Sequence, residues 1–113
     1  MDGETELVVV DNGSGDGSAE LVRREHPAAV LVELEENRGF GGGVNAGLER
    51  SRGEYVALVN NDATVEPGAL GELVRVAREG GPDVGSVAAQ MRFADRPQTI
   101  NSAGIGIDRL GIV

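Results

Sequence analysis

The fold is decided by the stretch ELVVVDNGSGDGSAELVRREHPAAVLVEL, residues 6–34, in which two short apolar runs enclose one amphipathic segment. The valine-rich run 6–10 is typical of a strand buried on both faces of a parallel sheet, and 29–34 is a second run of the same kind. Residues 18–26 predict a helix, because capping residues precede them and Pro27 ends the pattern. The stretch therefore predicts a β-α-β unit.

The same alternation continues along the rest of the chain. In chain order, the elements predicted next are a helix over 44–52, a strand over 55–59, a helix over 67–79 and strands over 84–91 and 99–108. The helix over 67–79 has the clearest pattern, with Pro67 at its first position and an apolar stripe that begins at Leu70. Strands that alternate with helices predict the α/β class, with a mostly parallel sheet flanked by helices.

Composition excludes several classes of function. The chain has 113 residues, a formal net charge of −9 and no cysteine. The negative charge argues against nucleic acid as a partner, and the absence of cysteine excludes disulfides and thiolate metal sites. No apolar run approaches the roughly 20 residues that cross a bilayer, and no signal peptide is recognisable. We therefore expect one cytoplasmic domain over residues 1–113, with no membrane segment in this chain.

Polar residues follow the first predicted strand at the point where ligands collect in parallel α/β sheets. Asp11 and Asn12 come directly after the valine run. A carboxylate here can accept hydrogen bonds from a nucleobase or a ribose hydroxyl, so we interpret Asp11 as a ligand contact. Asp16 and Ser18 are interpreted instead as residues that cap the helix which follows.

A glycine-rich segment, residues 37–47, follows the second predicted strand. Glycines just before a helix expose backbone amides at its positive end, which favours a phosphate site, and Arg38 can add charge-assisted hydrogen bonds to a pyrophosphate. Gly41, Gly43 and Ala46 also satisfy a dinucleotide-binding pattern. A fragment of an NAD-dependent oxidoreductase is therefore an alternative at this point.

The third predicted strand is followed by Asn60, Asn61 and Asp62. A carboxylate in this place can hold a divalent cation that bridges the phosphates of a nucleoside diphosphate, and Mg²⁺ commonly uses one or two carboxylates in this way. The cation would then stabilise a departing diphosphate as a Lewis acid. The other interpretation is a turn that leads into the next helix.

Taken together, these turns resemble the nucleotide-sugar-binding region of family 2 glycosyltransferases, particularly their rhamnosyltransferase-like branch with the GT-A fold. The resemblance is carried by VVVDNGS (8–14), NRGFGGGVNAG (37–47), LVNND (58–62) and NSAG (101–104). It implies a Rossmann-like, GT-A-like sheet that lacks the family's first strand, so that the chain is a partial nucleotide-sugar-binding domain truncated at both ends. A homodimer that fills the resulting gap is one arrangement we consider.

The resemblance also implies roles for individual residues. The substrate-binding set would be Asp11, Asn12, Arg38, Gly41, Gly43, Asn45, Asn60 and Asn61. Asp62 would bind Mg²⁺ or Mn²⁺ at the place of the family's DxD motif, whose first acidic position is Asn60 here. The catalytic base belongs to a segment beyond residue 113, so no residue of this chain is assigned that role.

The implied activity is inverting transfer of a sugar from a nucleotide-diphospho-sugar donor to an acceptor hydroxyl, on a glycan, a lipid-linked molecule or another compound. The isolated chain is expected to bind the donor or its nucleotide without turnover. Two alternatives remain at this point: the NAD-type dinucleotide-binding fragment and a non-catalytic remnant or interaction module.

Overall fold

The computed structural model describes residues 5–104. Contacts divide the chain into two compact units, one ending at Asn61 and the other beginning at Asp62. Each unit combines helices with strands, so the α/β class predicted from the sequence is confirmed. The single domain over residues 1–113 stays a prediction.

The first unit is a β-α-β-α arrangement, as the sequence predicts. Its elements are β1 (Val8–Asp11), α1 (Ser18–Glu25), β2 (Val30–Glu33) and α2 (Gly39–Arg50). The two strands pair in parallel, with Val8 opposite Val30 and Asp11 opposite Glu33. Both helices contact both strands, because the apolar side chains of a parallel sheet need cover. In consequence the turns after β1 and β2 leave the sheet at the same edge.

Helix α1 begins where the polar turn residues predict. Oδ1 of Asp16 accepts hydrogen bonds from the backbone N–H of Ser18 (3.0 Å) and from the hydroxyls of Ser18 and Ser14. The hydroxyl of Ser18, followed by its backbone N–H and the hydroxyl of Ser14, lowers the pKa of Asp16 to about 2. The capping position itself is occupied by Gly17, so the prediction that Asp16 and Ser18 cap α1 is corrected: Asp16 orders the turn before the helix, and Ser18 is the first helical residue.

Helix α2 begins at Gly39, five residues before the predicted start at residue 44. The prediction was wrong because the glycines were interpreted as a turn, whereas they form the first turns of the helix. Gly43 of this segment and Gly47, further along the helix, are the only buried residues of α2. Their missing side chains let the helix backbone approach β1 closely, which offsets the low intrinsic helix propensity of glycine.

The predicted third strand, residues 55–59, is not formed. No residue of this run is assigned to a strand, and Leu58 is 63% exposed. A strand exists only where a neighbour accepts its backbone hydrogen bonds, and within residues 5–104 the parallel sheet has two strands, β1 and β2. The strand predicted over 55–59 is therefore wrong, and within residues 5–104 the strands form a parallel pair, β1 with β2, and an antiparallel pair, β3 with β4.

The second unit contains α3 (Ala69–Glu79), β3 (Met91–Arg92) and β4 (Ile100–Ser102). Helix α3 begins two residues after the predicted start, because Gly68 (φ 82°) precedes it in the left-handed region. The strands predicted over 84–91 and 99–108 reduce to the short antiparallel pair, and residues 105–108 lie outside the described part. None of the helices in residues 5–104 has the length and apolar character needed to cross a bilayer.

Candidate functional site

The turns after β1 and β2 form the best-defined part of the candidate site. Since the parallel register places Asp11 opposite Glu33, both turns begin at the carboxyl edge of the pair. Ligands of parallel α/β sheets bind at this edge. The site residues predicted in these two turns therefore lie at the same edge of the parallel pair in the first unit.

Asp11 is half-buried at the end of β1. Its Oδ1 accepts a hydrogen bond from the backbone N–H of Ser14 (2.9 Å), and its backbone carbonyl accepts one from the N–H of Leu34 (2.9 Å). Within residues 5–104 we find no hydrogen bond to Oδ2 of Asp11. One carboxylate oxygen therefore orients the side chain, and the second is available to a ligand.

Asn12 connects the two turns. Its Oδ1 accepts a hydrogen bond from the backbone N–H of Arg38 (2.9 Å), and its Nδ2 donates one to the carbonyl of Gly39 (2.8 Å). Both polar ends of the side chain are therefore engaged by backbone that opens α2. The sequence predicted a substrate contact for Asn12. No local sequence pattern predicts these two bonds, because they join residues 26 and 27 positions apart.

Three glycines allow this close approach. Gly13 has φ +70°, and a Cβ there would lie 2.6 Å from the backbone carbon of Glu36. A Cβ on Gly43 would lie 3.1 Å from Nδ2 of Asn12, and one on Gly47 would lie 3.0 Å from Cγ2 of Val10. Gly43 is therefore buried by contact with Asn12 rather than open to a ligand, which changes the role that we predicted for it.

The amino end of α2 is exposed to solvent. Arg38 occupies the capping position, and no acidic residue lies in the first turn of the helix. The N–H of Gly39 donates to Oδ1 of Asn37 (2.8 Å). The next two amides, those of Phe40 and Gly41, belong to the first turn of the helix, where a backbone N–H has no partner within the helix itself. In the described part of the chain, the guanidinium of Arg38 forms no ion pair or hydrogen bond.

The remaining predicted contacts of the first unit are less connected. Asn45 is exposed on α2, and Asn60 and Asn61 are exposed after the irregular run 55–59. Among the hydrogen bonds of residues 5–104, none joins the side chains of these asparagines to Asp11, Asn12 or Arg38. Within residues 5–104, the structure therefore brings Asn12 together with the start of α2, but it shows no hydrogen bond from Asn45, Asn60 or Asn61 to these residues.

Asp62 is the first residue of the second unit and is exposed. Within residues 5–104, no group of three or more His, Cys, Asp or Glu side chains is gathered in a way that would hold a metal ion. A metal at Asp62 would consequently depend on ligands from the substrate and from water, which is the ordinary situation for Mg²⁺.

Sequence reasoning missed two residues that shape the site. Asn37 bonds the amide of Gly39 two residues later, and the Asn-x-Gly spacing is a recognisable signal for such a turn. Gly13 permits the backbone contact with residue 36, and its position in an Asn-Gly pair is a signal for positive φ. The packing role of Gly47 has no comparable local signal.

Comparison with known protein families gives one match over most of the chain. Residues 2–105 match the family described as Glycosyl transferase family 2. The match gives no support to the dinucleotide-binding alternative. That pattern needs its first two glycines in the turn before a helix, whereas Gly41 and Gly43 both lie inside α2.

Several characterised proteins resemble the chain over part of their length. It is 38% identical to the succinoglycan biosynthesis protein ExoO of Rhizobium meliloti over 80 residues, which are 70% of this chain and 23% of that protein. It is 39% identical to an undecaprenyl-phosphate 4-deoxy-4-formamido-L-arabinose transferase of Pseudomonas aeruginosa over 89 residues, 75% of this chain and 26% of that protein.

A third relative is a dolichyl-phosphate beta-glucosyltransferase of Dictyostelium discoideum, 38% identical over 66 residues, which are 54% of this chain and 20% of that protein. The chain thus spans about a quarter of the length of the curated relatives it matches. No solved structure gives a significant match.

Proposed function

The chain belongs to glycosyl transferase family 2, and from this premise we propose that its first unit binds the nucleoside diphosphate of a sugar donor. The activity we propose is transfer of the sugar, with inversion, to an acceptor hydroxyl of a glycan or of a lipid-linked molecule. The observation that carries the proposal is the positive charge at the amino end of α2, which no acidic side chain of residues 5–104 pairs with.

That positive charge has two sources. The amides of the first helical turn and the helix dipole give the amino end of α2 a partial positive charge. Arg38 adds a full charge at the capping position, where a cation is unfavourable for the helix itself. An anionic ligand would remove this unfavourable arrangement, and a diphosphate has the charge and the oxygen atoms to bond both the guanidinium and the amides.

The other two helices of the described chain show the usual arrangement. Helix α1 has Glu20 in its first turn and α3 has Glu72, both of which complement the helix dipole. Glu35 and Glu36 come shortly before α2, but neither forms an ion pair with Arg38 among the described residues. The missing acid at α2 is therefore a specific feature in a chain with net charge −9.

Asp11 supplies the second contact of the proposed site. The N–H of Ser14 fixes its carboxylate through Oδ1, so Oδ2 has a defined orientation at the end of β1. A fixed carboxylate oxygen can accept a hydrogen bond from a nucleobase imide or a ribose hydroxyl. We propose that Asp11 holds the nucleoside while the amino end of α2 holds the diphosphate, with Gly41 and Asn45 nearby on that helix.

Asp62 is proposed as the protein ligand of Mg²⁺ or Mn²⁺. One carboxylate fits such a cation when the substrate phosphates and water complete its shell, and the neutral Asn60 and Asn61 precede it. When bound, the cation would neutralise charge on the departing diphosphate as a Lewis acid.

The reaction is proposed as a single displacement. The acceptor oxygen attacks the anomeric carbon of the sugar as the bond from that carbon to the diphosphate oxygen breaks, and the acceptor proton passes to a general base that we do not assign in this chain. The bonding electrons remain on the diphosphate. Arg38 and the first amides of α2 would stabilise this developing charge, because they are positioned before the reaction begins.

The names of two relatives bear on the acceptor. One is a transferase named for undecaprenyl phosphate, and another is named for dolichyl phosphate. These names support a lipid phosphate as the acceptor for this chain, in which case a phosphate oxygen would attack the anomeric carbon and no hydroxyl proton would have to be removed.

The proposal is tested by calorimetric titration of the 113-residue protein with UDP, GDP and dTDP, each with and without Mn²⁺. We expect saturable binding of at least one nucleotide, and tighter binding with Mn²⁺. The proposal would be contradicted if the folded protein bound NAD saturably and bound none of the three nucleoside diphosphates. Absence of any nucleotide binding would favour a non-catalytic module.

A further inference from the structure

The side chain of Asn12 is fully used in joining two segments that are distant in sequence. Its carbonyl oxygen accepts from the amide of Arg38, and its amide nitrogen donates to the carbonyl of Gly39. The two bonds have opposite polarity, so only an asparagine-like amide satisfies both. They fix the backbone of the two residues that open α2 relative to the end of β1.

Close packing around Asn12 reinforces these bonds. A Cβ on Gly43 would approach Nδ2 and Cγ of Asn12 at 3.1 and 3.5 Å, so this helix position is filled by the asparagine side chain. On the other side of the turn, a Cβ on Gly13 would lie 2.6 Å from the backbone carbon of Glu36 and 2.8 Å from the backbone nitrogen of Asn37, so the absence of a side chain allows the two segments to approach. The start of α2 is therefore held from two sides by the turn after β1.

The backbone that Asn12 holds is the one that carries the guanidinium of Arg38. Arg38 donates its own amide to Asn12, while its side chain has no partner among residues 5–104. We propose that Asn12 is a positioning residue. It sets the placement of Arg38 and of the first α2 amides toward the diphosphate, and does not itself contact the nucleotide. This inference rests on the proposed nucleotide binding.

Three variants separate this role from a general effect on folding. Asn12→Ala removes both bonds. Asn12→Asp keeps the size and the acceptor but sets a carboxylate oxygen against the carbonyl of Gly39, where a donor is required. Ser14→Ala is the matched control, because Ser14 lies in the same turn and its hydroxyl donates to Asp16 rather than to α2.

The first readout needs no ligand. Hydrogen exchange of the Arg38 amide should accelerate in Asn12→Ala, since its acceptor is lost, and should stay as in the wild type in Asn12→Asp and Ser14→Ala. Far-UV circular dichroism accompanies each variant and reports whether the helices are retained. Unchanged exchange of the Arg38 amide in a folded Asn12→Ala protein would overturn the proposed fastening.

The second readout is affinity, measured with the tightest-binding of UDP, GDP and dTDP and with its nucleoside. We expect Asn12→Ala and Asn12→Asp to raise the Kd for the diphosphate roughly tenfold, since hydrogen bonds of about 1 kcal/mol each orient the site. The Kd for the nucleoside should stay unchanged. In an Arg38→Ala background, Asn12→Ala should raise the Kd for the diphosphate by a smaller factor than in the wild type, because the part of the effect that acts through Arg38 is already absent.

The outcomes distinguish the inference from the proposed function. If the wild type binds none of the nucleotides, the proposed function fails and the inference fails with it. If the wild type binds and Asn12→Ala binds equally well, the inference alone is overturned. Equal losses for the nucleoside and the diphosphate would also overturn it, because they would indicate direct contact between Asn12 and the nucleoside.

Discussion

The packing of α2 on β1 is tested by one chemical change made on two faces of the same helix. Gly47 is buried, and a Cβ there would lie 3.0 Å from Cγ2 of Val10. Gly41 is exposed, and a Cβ there would meet no described atom within 4 Å. Gly47→Ala therefore adds a methyl group against Val10, whereas Gly41→Ala adds the same group to open space.

The expected magnitudes follow from two opposing effects. Alanine stabilises a helix relative to glycine by up to about 1 kcal/mol, and this applies to both variants. At Gly47, however, the methyl group would stand closer to Val10 than the ordinary carbon separation of about 3.5–4.0 Å. Val10 has a stiff β-branched side chain, and overpacking of this kind costs about 1–3 kcal/mol. Gly41→Ala should therefore be more stable than Gly47→Ala by about 1–3 kcal/mol.

The assay is urea unfolding of both variants and the wild type, followed by far-UV circular dichroism at one temperature and in one buffer. We expect the midpoint of Gly41→Ala to equal or exceed that of the wild type and the midpoint of Gly47→Ala to fall below it. If Gly47→Ala were as stable as Gly41→Ala, the close contact between α2 and β1 would be refuted, and the glycines would need another explanation.

Three further predictions test other parts of the structure. The pKa of Asp16 is lowered from 3.8 to about 2. Its contribution to stability should therefore be present above about pH 4 and be lost as the pH falls through about 2. A difference in unfolding midpoint between wild type and Asp16→Ala that grows on acidification would contradict this. Leu58→Ser should change the free energy of unfolding by no more than about 0.5 kcal/mol in urea unfolding, because Leu58 is exposed; a loss of about 2 kcal/mol would indicate a buried strand. Asp62→Asn should abolish the effect of Mn²⁺ on nucleotide affinity, measured by calorimetry, whereas the matched exposed variant Asp83→Asn should keep it; equal behaviour of the two would exclude Asp62 as the metal ligand.

Local patterns were sufficient to predict four elements of the fold. Each of the signals acts over a few residues: the valine run before Asp11, the apolar run at 29–34, the polar turn at Asp16 and the apolar stripe from Leu70. The elements β1, β2, α1 and α3 follow from them. The order of these elements also predicted the parallel pairing of β1 with β2. In this part of the chain, local preference and tertiary contact favour the same structure.

Features that depend on distant residues were not predictable in this way. The run 55–59 has the composition of a strand, but no strand in residues 5–104 pairs with it. The start of α2 was misplaced because glycine has a low helix propensity, and only the contact with Val10 and Asn12 explains glycine at Gly43 and Gly47. Tertiary packing therefore decided both cases against local propensity.

In the candidate site, too, some features were predictable from the sequence and others depend on contacts between distant residues. Asp11 and Arg38 were identified from their positions after two strands, which is a rule about topology that can be applied to a sequence. The engagement of Asn12 by the backbone of Arg38 and Gly39 connects residues 26 and 27 positions apart, and no sequence pattern predicts it. The roles proposed for Asp11, Arg38, Asn45 and Asp62 stay predictions.

The central claim is that the amino end of α2 binds a diphosphate through Arg38. The most direct test is the Kd of the tightest-binding nucleoside diphosphate for Arg38→Ala and for Arg50→Ala, which removes the same charge from the last turn of the same helix. A charge-assisted hydrogen bond of about 1.5–3 kcal/mol predicts a roughly 10- to 100-fold rise in Kd for Arg38→Ala. Arg50→Ala should bind as the wild type does. Equal affinities of the two variants would contradict the claim, because the charge at the start of α2 would then matter no more for binding than the charge at its end.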